Sequence, residues 1–130
     1  MTSLTLIKPD DWHLHLRDGE AMKSVVSMSA NQMRRAIIMP NLSPPIINSS
    51  QAQEYHRRIM ESLPKETSFK PLMVLYLTDK TSKAEMHEAS KVPEVYAAKL
   101  YPSGVTTNSS NGVTNINKIS PALEAMQKER

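Results

Sequence analysis

Two hydrophobic patterns alternate along this 130-residue chain. Short continuous apolar runs, RAIIM, PLMVLYL and VYAAKL, predict buried strands over 35–39, 71–77 and 95–100. Residues 4–7 and then 12–16 predict a first strand region. Between these runs the apolar positions recur every three or four residues, the helical period. That spacing predicts helices over 20–30, around Ala52, Tyr55 and Ile59, over 82–90 and over 116–128. Ser50 and Gln53 form a capping-box pattern ahead of the second helix, and Pro64 ends it. The last helix carries Ile119, Leu123 and Met126 on one face. Residues 41–48 form a Pro-rich loop, and 101–114 a long polar one.

Strands alternating with helices in four successive βα units predict an α/β fold with a parallel sheet. No glycine-rich phosphate motif follows any strand, so a nucleotide-binding Rossmann reading lacks its signature. The chemistry-bearing residues fall instead at the C-terminal ends of the predicted strands, the habit of TIM barrels. Such a barrel needs eight units and typically ~250 residues. The expectation is therefore the first four βα units of a TIM (β/α)8 barrel, incomplete in this chain, with residues 1–130 forming its N-terminal half. An open sheet edge would then favour aggregation or pairing.

Composition narrows the function classes. Hydrophobic residues make up 39% and charged residues 22%, a globular balance. No apolar run is long enough to span a bilayer, and the first residues lack a signal-peptide pattern, so a cytoplasmic protein without membrane attachment is expected. Cysteine is absent, which leaves His, Asp, Glu or a modified Lys as metal ligands. The net charge of +3 comes from scattered residues with few aromatics between them, which argues against a nucleic-acid partner.

The segment DWHLHLRDG, residues 11–19, concentrates the candidate chemistry. His13 and His15 are two apart, so on a strand they share one face and can grip one metal ion. The alternative is two histidines that find ordinary hydrogen-bond partners. Arg17 has the same parity and suits a carboxylate. Trp12 and Leu14 have the opposite parity and are expected to pack against helices. Lys99 sits in an apolar strand, where burial would lower its pKa. It either snorkels from the strand end or, as a neutral amine, captures carbon dioxide as a carbamate able to bridge two metal ions. Asn41, directly after the second strand, either binds a substrate carboxylate or carbonyl, or makes an Asx turn before Pro44 and Pro45. The loop 101–114 reads as a lid whose Thr106 and Thr107 close over an anion, or as a connector without a role. His56 and His87 read as solvated helix residues.

Together, DWHLHLRDG, MPNLSPP and AAKLYPSGVTTNSSNGVT resemble the dihydroorotases of the monofunctional bacterial type, in the amidohydrolase superfamily. The resemblance runs in register along the whole chain. It implies a (β/α)8 barrel with two zinc ions bridged by carboxylated Lys99, and His13 and His15 on the more buried ion. It implies that Arg17 and Asn41 bind the substrate carboxylate, with Thr106 and Thr107 on the closing loop. The implied reaction is the reversible cyclisation of N-carbamoyl-L-aspartate to L-dihydroorotate in pyrimidine biosynthesis, commonly by a homodimer. The family's other zinc ligands are two histidines on later strands, and its catalytic aspartate is on the last strand. None falls within these residues. The fragment alone is therefore expected to be inactive and to need the rest of the barrel, in cis or in trans. The competing expectation is a non-catalytic half-barrel serving as an interaction or assembly subunit.

Overall fold

The computed structural model describes residues 2–105 and 109–129. Four parallel strands, β1 (Asp10–Leu14), β2 (Arg35–Ile38), β3 (Lys70–Tyr76) and β4 (Val95–Lys99), lie in sequential order in one sheet. Helices α1 (Gly19–Gln32), α2 (Ser49–Glu61) and α3 (Lys83–Ser90) form the crossovers. A short 3-10 turn, Ile116–Ile119, leads into α4 (Ser120–Lys128), with Pro121 in its first turn. Sequential strand order with crossovers of one hand puts the connecting helices on the same face of the sheet. The four-unit βα reading of the sequence holds.

The core lies between that face and the helices. Val26 of α1, Tyr55 and Ile59 of α2, and Ile38 and Leu75 of the sheet are all buried in it. Alternation along each strand sends the other side chains to the opposite face. Ile59→Ala removes a fully buried side chain at the centre of this layer. It is expected to cost about 2–5 kcal/mol, read as a lowered midpoint in denaturant unfolding. A midpoint equal to the parent's would contradict this packing.

Two local expectations change. Residues 4–7 are not a strand, and Leu4, Leu6 and Ile7 are largely exposed. The reason is the length of the neighbour. β2 begins at Arg35, which pairs with Asp10, so no residue of β2 is left opposite 4–7. The capping box at Ser50 and Gln53 also shifts. Asn48 is the actual cap, in extended backbone, and its side chain accepts from the Gln51 N–H at 2.9 Å. Gln51 in turn accepts from the Ile47 N–H at 2.8 Å. Asparagine caps as well as serine does, and this reciprocal pair starts the helix two residues early.

Candidate functional site

The helix-free face at the C-terminal ends of the strands gathers most of the expected residues. His13 lies in β1 and His15 just beyond it, both exposed, and their Nε2 atoms approach to 3.1 Å. Two imidazole nitrogens on one tetrahedral zinc ion, at ordinary bond lengths, stand about 3.3 Å apart. The observed separation therefore fits a shared metal. In its absence the same contact is a hydrogen bond between an N–H and a lone pair. Partial desolvation lowers the His15 pKa, and the charges of Lys99, His13 and Arg17 lower it further. The neutral imidazole is the form that can coordinate. Among the described residues no group of three or more His, Asp or Glu is arranged to hold a metal.

Lys99 ends β4 opposite Tyr76 of β3 and is partly buried. Its Nζ lies 3.0 Å from the Met39 sulfur and 4.4 Å from the Tyr101 ring centroid. The aromatic face favours the ammonium, whereas burial disfavours it. Burial wins, and the Lys99 pKa falls below the ordinary lysine value. The strand places an amine, more easily deprotonated than usual, close enough to His15 to act on its charge.

Arg17 is not an extension of the strand, and the parity argument for it fails. It stands at φ 62°, in the left-handed region, in the turn between β1 and α1. For a residue with a side chain that conformation costs on the order of 1–3 kcal/mol and persists only where neighbours enforce it. The enforcement comes from α2. The buried Tyr55 hydroxyl donates to the Arg17 carbonyl. Arg58, one helical turn on, forks onto Asp18 with bonds of 3.1 and 2.8 Å. Burial alone would raise the Asp18 pKa, but the bonds from Arg58 and from the Gly19 N–H outweigh it and the carboxyl is held low. Asp18 also caps α1 by accepting from that N–H at 2.9 Å.

Arg17 and the buried Asn41 line one open cavity of about 410 Å³, together with Asp18, Pro45, Glu54 and Arg58. Among the described residues the Arg17 guanidinium has no ion-pair partner. An arginine side chain not engaged by an acid, in a cavity with a buried amide, is chemistry that suits a carboxylate.

Trp12 departs from expectation. It is 61% exposed, with the Arg35 guanidinium 5.5 Å from its ring, instead of packing against a helix. Its position falls where the β1 register shifts, between Asp11 and Leu14. Leu14 does pack against the core. His56 is half-buried, which lowers its pKa, while His87 stays half-exposed against Glu129. Thr106 and Thr107 lie outside the described residues. The ends of their loop are pinned together. Val113 N–H donates to Tyr101 O at 2.8 Å and Ser103 N–H to Val113 O at 3.1 Å. A Cβ on Gly112 would come within 2.5 Å of Tyr101 O, so only glycine fits there. Asp79 takes the Thr114 N–H, the Thr114 hydroxyl and the Lys118 ammonium, which together hold its pKa down to about 2. Sequence reading missed Tyr55, Arg58 and Asp79. Tyr55 and Arg58 are spaced one turn apart on α2, the one sign of a shared target, but the apolar stripe had absorbed Tyr55.

Four parallel βα units in sequential order, with imidazole, amine and guanidinium groups toward the strand C-termini, have the architecture of the first part of a TIM-type barrel. No protein-family model matches the chain. Curated relatives do. A dihydroorotase of Delftia acidovorans is 57% identical over 127 residues, covering 98% of this chain and 36% of the relative. One of Photobacterium profundum is 55% identical over 128 residues, covering 98% and 37%. Among solved structures, a dihydroorotase from Campylobacter jejuni superposes with a TM-score of 0.84 at 37% identity, covering 94% of this chain and 36% of that one. A Saccharomyces cerevisiae dihydroorotase in complex with 5-fluoroorotic acid gives 0.84 at 34% identity, covering 93% and 33%. The chain thus matches the N-terminal part of the dihydroorotase family and spans little more than a third of its curated relatives' length.

Proposed function

We propose that this segment acts within a zinc-dependent dihydroorotase, which interconverts N-carbamoyl-L-aspartate and L-dihydroorotate in pyrimidine biosynthesis. The observation that carries the reading is the convergence of the His13 and His15 Nε2 atoms to 3.1 Å, beside a lysine whose pKa burial has lowered. His13 and His15 would hold one zinc ion. Lys99 would bridge it to a second after its amine takes up carbon dioxide, forming an N–C bond and releasing a proton. Bound zinc would supply Lewis acidity and a water acidified toward neutral pH.

The remaining work falls to the chain's own groups. Arg17 and Asn41 would grip the ring carboxylate, spending remote binding energy on orientation of the amide. A ring carboxylate is also what 5-fluoroorotic acid offers the yeast relative. In the hydrolytic direction, water adds to the amide carbonyl carbon, the ring C–N bond breaks and the nitrogen takes a proton. The family resemblance assigns that proton transfer to an aspartate on a later strand. Thr106 and Thr107 would close over the substrate. The resemblance also carries a homodimer, a cytoplasmic setting and completion of the barrel by the other units, in cis or in trans. Among the described residues no helix is long and apolar enough to cross a membrane.

The test uses the protein at the full length of its relatives, loaded with zinc. It is expected to open dihydroorotate, to lose turnover on chelation and to regain it when zinc is restored. Absence of turnover in both directions from folded, zinc-loaded protein would overturn the proposal.

A further inference from the structure

We infer that Tyr55 and Arg58 of α2 are positioning residues for Arg17 and set the affinity of the proposed site for the substrate carboxylate. The inference rests on the proposed function and deepens it. Both residues lie on α2. Both reach the turn that carries Arg17, and they reach it at consecutive residues: Tyr55 at the Arg17 carbonyl, Arg58 at the Asp18 carboxylate.

Their effects on Arg17 are separate. The Tyr55 hydroxyl fixes a peptide whose residue stands at φ 62°. Without that bond the backbone gains freedom to relax into an ordinary basin, and the Cα–Cβ direction of Arg17 changes relative to the cavity it lines with Asn41. Arg58 acts through charge. Asp18 is adjacent to Arg17 in sequence and lines the same cavity, so it is an acid that could capture its guanidinium. Arg58 occupies both Asp18 oxygens, at 3.1 and 2.8 Å, and so leaves Arg17, among the described residues, without an ion-pair partner. The Arg58 guanidinium lies 5.4 Å from the Tyr55 ring centroid, so the two also brace each other. Arg58 lines the same cavity as Arg17 and Asn41, but its charge is matched by Asp18 and, at 3.6 Å, Glu54. The anion-seeking charge in that cavity is therefore the one on Arg17.

The experiment is a double-mutant cycle at the relatives' full length. It reads the dissociation constant of 5-fluoroorotic acid by calorimetry and the KM and kcat for dihydroorotate. Tyr55→Phe, which keeps the ring and removes the hydroxyl, is expected to weaken binding about tenfold and raise KM equally, with kcat within about twofold of the parent. Arg58→Met is expected to do the same and Arg58→Lys to recover part of the loss. In an Arg17→Met background, Tyr55→Phe is expected to change binding by less than about twofold, since there is no guanidinium left to position. Should Tyr55→Phe fail to fold, Arg58→Met carries the same comparison from the helix surface. Full additivity of the losses, or a fall in kcat or thermal stability with KM unchanged, overturns the positioning role. If Arg17→Met itself leaves binding and KM unchanged, the carboxylate reading has failed. If Arg17→Met weakens binding and neither α2 variant does, the positioning role alone has failed.

Discussion

Replacing His13 by alanine, at the full length of the relatives, is expected to lower kcat/KM for dihydroorotate by about 10²–10⁴-fold, with one zinc ion lost or much more weakly held. The size follows from geometry. The two Nε2 atoms stand 3.1 Å apart and bracket one point in space. Removing either leaves a single imidazole at the end of β1, and among the described residues no group of three or more His, Asp or Glu is arranged to hold a metal in its place. His15→Ala is expected to behave alike. Zinc content by elemental analysis and turnover by loss of the dihydroorotate ring should fall together. Full activity in His13→Ala would remove the metal role from this pair.

Lys99→Arg is expected to be as damaging, although it keeps the positive charge and most of the length. A guanidinium stays protonated at any accessible pH and cannot form the carbamate. A lysine amine can, and burial at the end of β4 already lowers its pKa. Intact-mass analysis under native conditions should find the parent heavier than its sequence by one carbon dioxide, and the variant not. An Lys99→Arg protein as active as the parent would reduce Lys99 to a cation stacked on Tyr101. The two substitutions report different chemistry. The histidine variant tests whether a metal is held, and the lysine variant whether an amine must be neutral to hold it.

The sequence made much of this legible because its signals are local. Apolar runs such as PLMVLYL have one reading in an alternating chain, a strand covered on both faces, and β3 is buried along nearly all its length. His13 and His15 are two residues apart, and even though His15 lies just outside β1 their nitrogens still converge. Lys99 followed from the same logic at the end of β4. The failures are where a neighbour decides. Residues 4–7 alternate like a strand but face no part of β2. Trp12 sits where the β1 register shifts, so parity does not fix its side.

What the sequence determined by itself, then, is the βα order, the approximate place of each strand and the identity of the groups near their ends, although β1 stops at Leu14 and not at Leu16. Periodicity and residue chemistry are encoded over a few positions and survive without knowledge of the rest. What only the tertiary structure decided is the aim of Arg17. Its left-handed backbone, its place with Asn41 in one cavity and its freedom from Asp18 depend on Tyr55 and Arg58, some 40 residues away in sequence. No local pattern specifies φ 62° for an arginine. A conformation disfavoured on its own is set by the contacts that over-determine it, and those exist only once α2 has packed beside the first turn.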